Sequence, residues 1–162
     1  WAIVSEVEQN DDVLFKPLFS YEMVGICSKD HPLANKEVWQ AEDFAEETWV
    51  TYPVPDDMLD LYRQVLKPKG INPPRRTTEL TIALIQLVAS RRGIATVPYW
   101  AALPYLEKGY VVARKITEEG LYSNLYAAIR KEDANLAYIE DFHQTVKAQS
   151  FSTLPGLSVL EL

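Results

Sequence analysis

The stretch Thr77–Pro98, TTELTIALIQLVASRRGIATVP, decides the fold. It opens with threonines that start a helix and continues through an apolar run of about three helical turns. Two arginines, a glycine stop and a short strand ending at Val97-Pro98 follow. Thr78 or Thr81 is expected at or near the N-cap, leaving first-turn backbone N–H groups free to face a ligand. Unpaired donors and the helix dipole together favour a carboxylate or phosphate there. Gly93 suits the left-handed residue that ends a helix, and Arg91 and Arg92 lie where cations complement the dipole. The segment therefore reads as a helix-strand unit with an anion seat at its front. An ordinary crossover helix would carry the same pattern.

Working outward, strands and helices alternate. Trp1–Ser5, Val13–Phe19 and Tyr21–Ser28 are of strand type, the last broken by Gly25. Asp30-His31-Pro32-Leu33 is a turn, Ala41–Glu46 a short helix, and Thr48–Tyr52 a strand ended by Pro53 and Pro55. From Met58 to Leu66 an apolar stripe predicts an amphipathic helix stopped by Pro68 and Gly70. Beyond the central unit come a helix near Trp100–Lys108 containing Pro104, strands at Tyr110–Ile116 and Leu121–Arg130, and a last helix over about Asn135–Gln149. That helix is expected to bury Leu136, Ile139, Phe142 and Val146. The alternation means an α/β domain, with a mostly parallel sheet expected.

Composition narrows the function. The 162 residues are 48% hydrophobic, enough for a real core, and carry a net charge of −7. An acidic chain without a Lys/Arg cluster is not built to grip DNA by itself. One cysteine, Cys27, excludes an intrachain disulfide and points to a reducing, cytoplasmic setting. No apolar run approaches the ~18–20 residues of a membrane span.

Nothing asks for catalysis. The six glycines are too scattered for a phosphate-cradling loop. No nucleophile elbow or zinc-type histidine pair exists, and no ligand spacing suggests a metal. His31, before a proline in a turn, reads as a solvent-facing or capping residue, His143 as a packed histidine, and Cys27 as a small core residue. The acidic pairs Glu46/Glu47, Asp56/Asp57 and Glu118/Glu119 read as caps and solvated faces.

Four segments together resemble the effector-binding domain of LysR-type transcriptional regulators: Tyr21–Ala34 (YEMVGICSKDHPLA), Trp49–Pro53 (WVTYP), Leu84–Pro98 (LIQLVASRRGIATVP) and Gly120–Arg130 (GLYSNLYAAIR). The resemblance runs in order from Trp1 to about Ser150, and within the family it is closer to regulators of methionine biosynthesis. It implies an α/β fold like type II periplasmic binding proteins, with two lobes and a small-molecule effector in a cleft. Residues 1–26 and 115–162 would form part of lobe I, truncated at its N-terminus, and residues 27–114 lobe II. The winged helix-turn-helix is absent from this chain, so DNA would be bound only through that missing N-terminal domain. The resemblance further implies a homodimer or homotetramer, RNA polymerase as a further partner, no cofactor and no enzymatic activity.

Carried over residue by residue, the resemblance puts ligand contacts at Ser5, at Thr51, Tyr52 and Pro53, at Thr78, Thr81 and Ile82, and at Val97 and Pro98. Ligands of open α/β sheets sit outside the carboxyl ends of strands, which also favours these positions. Core packing accounts equally for Tyr52, Ile82 and Val97, and a simple helix cap for Thr78. Homocysteine is the implied co-activator: its carboxylate suits the helix N-terminus and its short thiol arm a small apolar pocket. Its ammonium would need Ser5, a carbonyl or an acid such as Glu79. Two readings from other classes stand beside this one, a transporter's solute-binding protein with the same fold and an enzyme on a similar scaffold.

Overall fold

The computed structural model describes residues 1–161. In chain order the described elements are β1 (Ala2–Val4), β2 (Val13–Cys27), β3 (Val38–Trp39), β4 (Trp49–Thr51), β5 (Arg75–Thr77), α1 (Thr81–Ala89), β6 (Ala95–Pro98), α2 (Tyr99–Glu107), β7 (Val112–Ile116), β8 (Leu121–Arg130), α3 (Ala137–Thr153) and β9 (Leu157–Ser158). They divide into two compact units. One comprises Trp1–Tyr21 and the chain from Tyr122 onward, the other Glu22–Leu121.

The stretch expected as two strands is one, β2, fifteen residues long. Gly25 does not break it. A Cβ there would lie 2.4 Å from Cε3 of Trp39, so glycine is what lets the indole lie against the strand. In the second unit β2 pairs antiparallel with β6 (Val24↔Val97) and with β7 (Ile26↔Ala113). Among the described residues parallel pairing is seen for β3 with β7, for β4 with β5, and at a single Trp49↔Ile94 bridge. The expected mostly parallel sheet is therefore corrected: β2 runs opposite to the strands that return beside it.

Two buried clusters hold this unit. Trp39, Phe44, Trp49, Leu61, Leu66, Ile94 and Ile116 form one. The other joins Val24, Ile26 and Val50 to Leu84, Ile85 and Val88 on α1 and to Val97 on β6. The predicted Met58–Leu66 amphipathic helix is instead a 3-10 turn at Asp56–Met58, a π-helical turn at Tyr62–Leu66 and another 3-10 turn at Lys67–Lys69. Pro68 has no N–H to extend an α ladder. Leu61 and Leu66 are buried all the same, while Met58 is exposed.

In the first unit β1 pairs antiparallel with β8, and β9 with β2 at Ser20↔Ser158 and Tyr21↔Leu157. The chain after α3 thus contributes a short strand that the sequence pattern did not suggest. Leu121, Ala127 and Ile129 are buried on one face of β8, as their alternation predicts, with Leu125 half-buried. On α3 the expectation fails in part: Leu136 and Phe142 are exposed, and the one buried residue is His143. Phe142 packs edge-on against Trp1 at the sheet's margin, 4.8 Å between ring centroids.

Candidate effector site

The strands β4 and β5 run parallel, with Thr51 level with Thr77, so their carboxyl ends finish together. Just beyond them the Thr78 amide donates to the Thr51 carbonyl at 3.0 Å. That bond fixes the entry into α1, whose N-cap is Leu80, extended at φ −109°, with no side-chain cap. Neither Thr78 nor Thr81 is the N-cap itself, but both lie near it, as the sequence led one to expect. Thr81 is instead the first helical residue, and its Oγ1 lies 2.7 Å from the Tyr52 hydroxyl. A hydroxyl engaged across the strand ends leaves the first-turn N–H groups without a capping side chain.

The far end of α1 also differs from expectation. Arg91, not Gly93, takes the left-handed conformation (φ 60°), and the Arg92 amide closes onto the Leu87 carbonyl at 2.9 Å. Gly93 is required on two counts: its φ of 154° is one that residues with a Cβ rarely adopt, and a Cβ there would meet the Thr48 carbonyl oxygen at 2.4 Å. This close approach seats the strand that follows α1 beside β4.

Of the residues singled out from sequence, Thr51, Tyr52, Thr78 and Thr81 come together through the bonds just described. Thr51 is buried, and its hydroxyl donates to the Tyr52 carbonyl at 3.2 Å. Pro53 and Ile82 are exposed. Val97 is completely buried in the core with Leu84 and Val50, so its side chain packs rather than projects. Pro98 pairs with Met23 and forms the N-cap of α2. Ser5 lies in the first unit, exposed, directly after β1. The Tyr52–Thr81 pair was missed as a pair because 29 residues separate its members. Thr96, a buried hydroxyl on β6 level with Gly25, was missed because an alternating strand gives no sign of which polar residue turns inward.

The other reactive side chains serve structure. His31 caps the turn at Pro32, its Nδ1 accepting from the Leu33 amide at 3.0 Å while Nε2 lies 3.0 Å from Glu47. Burial pushes the Cys27 thiol up to about 11, only partly offset by the Arg114 guanidinium, so it stays protonated and inert at neutral pH. Arg114 itself is tied to the Ala34 carbonyl, with Nε at 3.0 Å. Arg75 stacks over Trp49 and Tyr62, 5.0 and 5.1 Å from their rings, and pairs with Asp56. Among the described residues no His, Cys, Asp and Glu cluster is arranged to hold a metal ion. Among them, too, no helix is long and apolar enough to cross a membrane.

Residues 1–150 match the family described as LysR substrate binding domain. The HTH-type transcriptional regulator MetR of Haemophilus influenzae is 84% identical over 162 residues, which is all of this chain and 52% of the relative. MetR of Salmonella typhimurium is 36% identical over 154 residues, 95% of this chain and 48% of the relative. The chain thus spans about half the length of the curated relatives it matches. Among solved structures, the regulatory domain of MetR, a LysR family regulator from N. meningitidis, superposes with a TM-score of 0.92 at 64% identity, covering 98% of this chain and 74% of that one. These relatives are transcriptional regulators, not enzymes. The α/β fold built around β2, together with the match over residues 1–150, places the chain in the LysR substrate-binding domain family.

Proposed function

We propose that this chain is the ligand-sensing part of a LysR-type regulator of methionine-biosynthesis genes, with homocysteine as its co-activator. The observation that carries this reading is the 84% identity to the Haemophilus influenzae MetR along the entire chain. DNA binding would then reside in the part of the regulator outside this chain. The acidic balance of these 162 residues agrees with that division of labour.

The effector's carboxylate would sit at the start of α1, on the uncapped first-turn amides, with the Tyr52 and Thr81 hydroxyls as neighbouring donors. Thr51, Pro53, Thr78 and Ile82 would frame the same strand ends, with Val97 packed in the core behind them and Pro98 leading into α2. Ser5 and Glu79 remain candidate acceptors for the ammonium. Assembly as a homodimer or homotetramer would use the outer face of α1, where Leu80 and Ile82 are 63% and 55% exposed. RNA polymerase would be met by the assembled regulator on DNA.

A thermal-shift titration of the full-length protein with homocysteine, methionine and cysteine tests the ligand. A ligand bound only to the folded state raises Tm by mass action. Homocysteine should raise it most. Methionine should do less, because one extra carbon alters fit by about 1–3 kcal/mol. No shift with any of the three would discard homocysteine.

A further inference from the structure

The helix α3 is held by an unusual residue. Its half-buried and buried positions, Ile139, Glu140, His143, Val146, Lys147 and Ser150, mark the side that faces inward, and only His143 at its centre is buried. His143 is 4% exposed, and its Nδ1 is buried with no hydrogen-bond partner. A neutral imidazole tolerates such a place as a small, mostly apolar ring. An imidazolium would carry a charge and a second N–H donor into it.

The surroundings compensate a proton only in small part. From β2, Lys16 presents an ammonium; from α3 itself come Lys147 and one carboxylate, Glu140. Glu140 is already engaged, accepting from Lys16 Nζ at 2.5 Å and from Gln144 Nε2 at 2.8 Å. The buried side chains of β8, Ser123, Ala127 and Ile129, carry no titratable group, and β1 and β9 contain no charged residue. A charged His143 would therefore stand near two cations with a single shared anion.

We propose that the seat of α3 is a proton-operated latch: with His143 neutral the helix packs down, and a proton on the buried imidazole loosens it from Ile139 to Ser150. The strand β9 follows α3 directly and pairs with β2 at Ser20 and Tyr21, so loosening the helix also loosens that pairing. Burial, seconded by Lys16, holds the imidazole below its ordinary value of 6.5. The folded state thus prefers the neutral ring. The stability this confers is present above the ordinary value and is lost as pH falls through the lowered one.

Hydrogen exchange by mass spectrometry on the 162-residue protein, corrected for intrinsic rates, tests the latch at about pH 7.5 and about pH 5.5. At the lower pH protection should fall over residues 139–158, by at most about tenfold, the limit set by one proton one unit below the ordinary histidine value. Peptides from α1, whose buried face has no titratable group, should change by less than about twofold on the same basis. His143→Gln should abolish the pH response of α3, and Lys16→Met, which keeps the histidine, should weaken it. Equal protection of α3 at both pH values, or the same loss in a folded His143→Gln protein, would overturn the proposal. Should His143→Gln not fold, an NMR titration of the wild-type imidazole decides. A midpoint below the ordinary value, with α3 amides broadening in step, supports the latch, and a midpoint at or above it refutes it.

Discussion

The helices α1 and α3 are attached by opposite means. Nine residues suffice for α1 because Leu84, Ile85 and Val88 are driven into a core of aliphatic side chains. Seventeen residues of α3 bury a single histidine and leave Tyr138 and Phe142 exposed. Aliphatic burial involves no titratable group and so does not depend on pH, and each fully buried Leu or Ile contributes about 1.5–3 kcal/mol. The first arrangement can therefore spare its N-terminus from capping and hold it open. The second depends on a charge state and on contacts at the margin of a sheet. Rigidity has been placed where a ligand would be read, and adjustability elsewhere.

The largest effect that would break this contrast is at Ile85. Ile85→Ala should cost about 2–5 kcal/mol, because the cavity lies where α1 meets β4 and β6. Urea denaturation reads it as a fall in midpoint, and a loss under about 1 kcal/mol would mean that α1 is not anchored by that core. Gly25→Ala comes next, at about 1–3 kcal/mol, since the new methyl must displace the Trp39 ring. Trp39 fluorescence should shift in the same variant. Phe142→Ala on α3 should cost only about 1 kcal/mol, as half of the ring is already in water. A loss as large as that of Ile85→Ala would erase the distinction between the helices.

A smaller effect has the opposite sign. Arg91→Gly should stabilise by about 1 kcal/mol, because glycine takes the left-handed conformation without the Cβ clash. Thermal melts showing destabilisation instead would mean that the Arg91 side chain contributes more to the end of α1 than its backbone costs.

Much of this contrast was legible in the sequence. The apolar run after the threonines announced the helix α1, though not which of its residues are buried, and alternation from Leu121 to Ile129 assigned the buried face of β8 correctly. His31 announced its capping role by preceding Pro32 in a turn. What escaped depends on partners far along the chain. Gly25 looked like a strand breaker because Trp39 is invisible from its own neighbourhood. Gly93 looked like the helix terminator, whereas Arg91 takes the left-handed turn, and Gly93 is required by its own φ of 154° and by contact with Thr48. On α3 the apolar periodicity pointed to Phe142, but the stripe that faces inward is one residue further round and centred on a polar side chain. At the candidate site the strand ends were readable from pattern. The Tyr52–Thr81 bond was not, since nothing local links a tyrosine after one strand to a threonine opening a later helix.

The central claim is that homocysteine is read by the uncapped start of α1. Two-dimensional NMR of backbone amides in the full-length protein, or in a domain that retains binding, tests it most directly. On addition of homocysteine the amides of Thr81, Ile82 and Ala83 should show the largest shifts, and Thr81→Ala should weaken the apparent affinity by about 1 kcal/mol, or roughly fivefold. Shifts concentrated elsewhere in the chain, with those three amides unmoved at saturating ligand, would contradict the account.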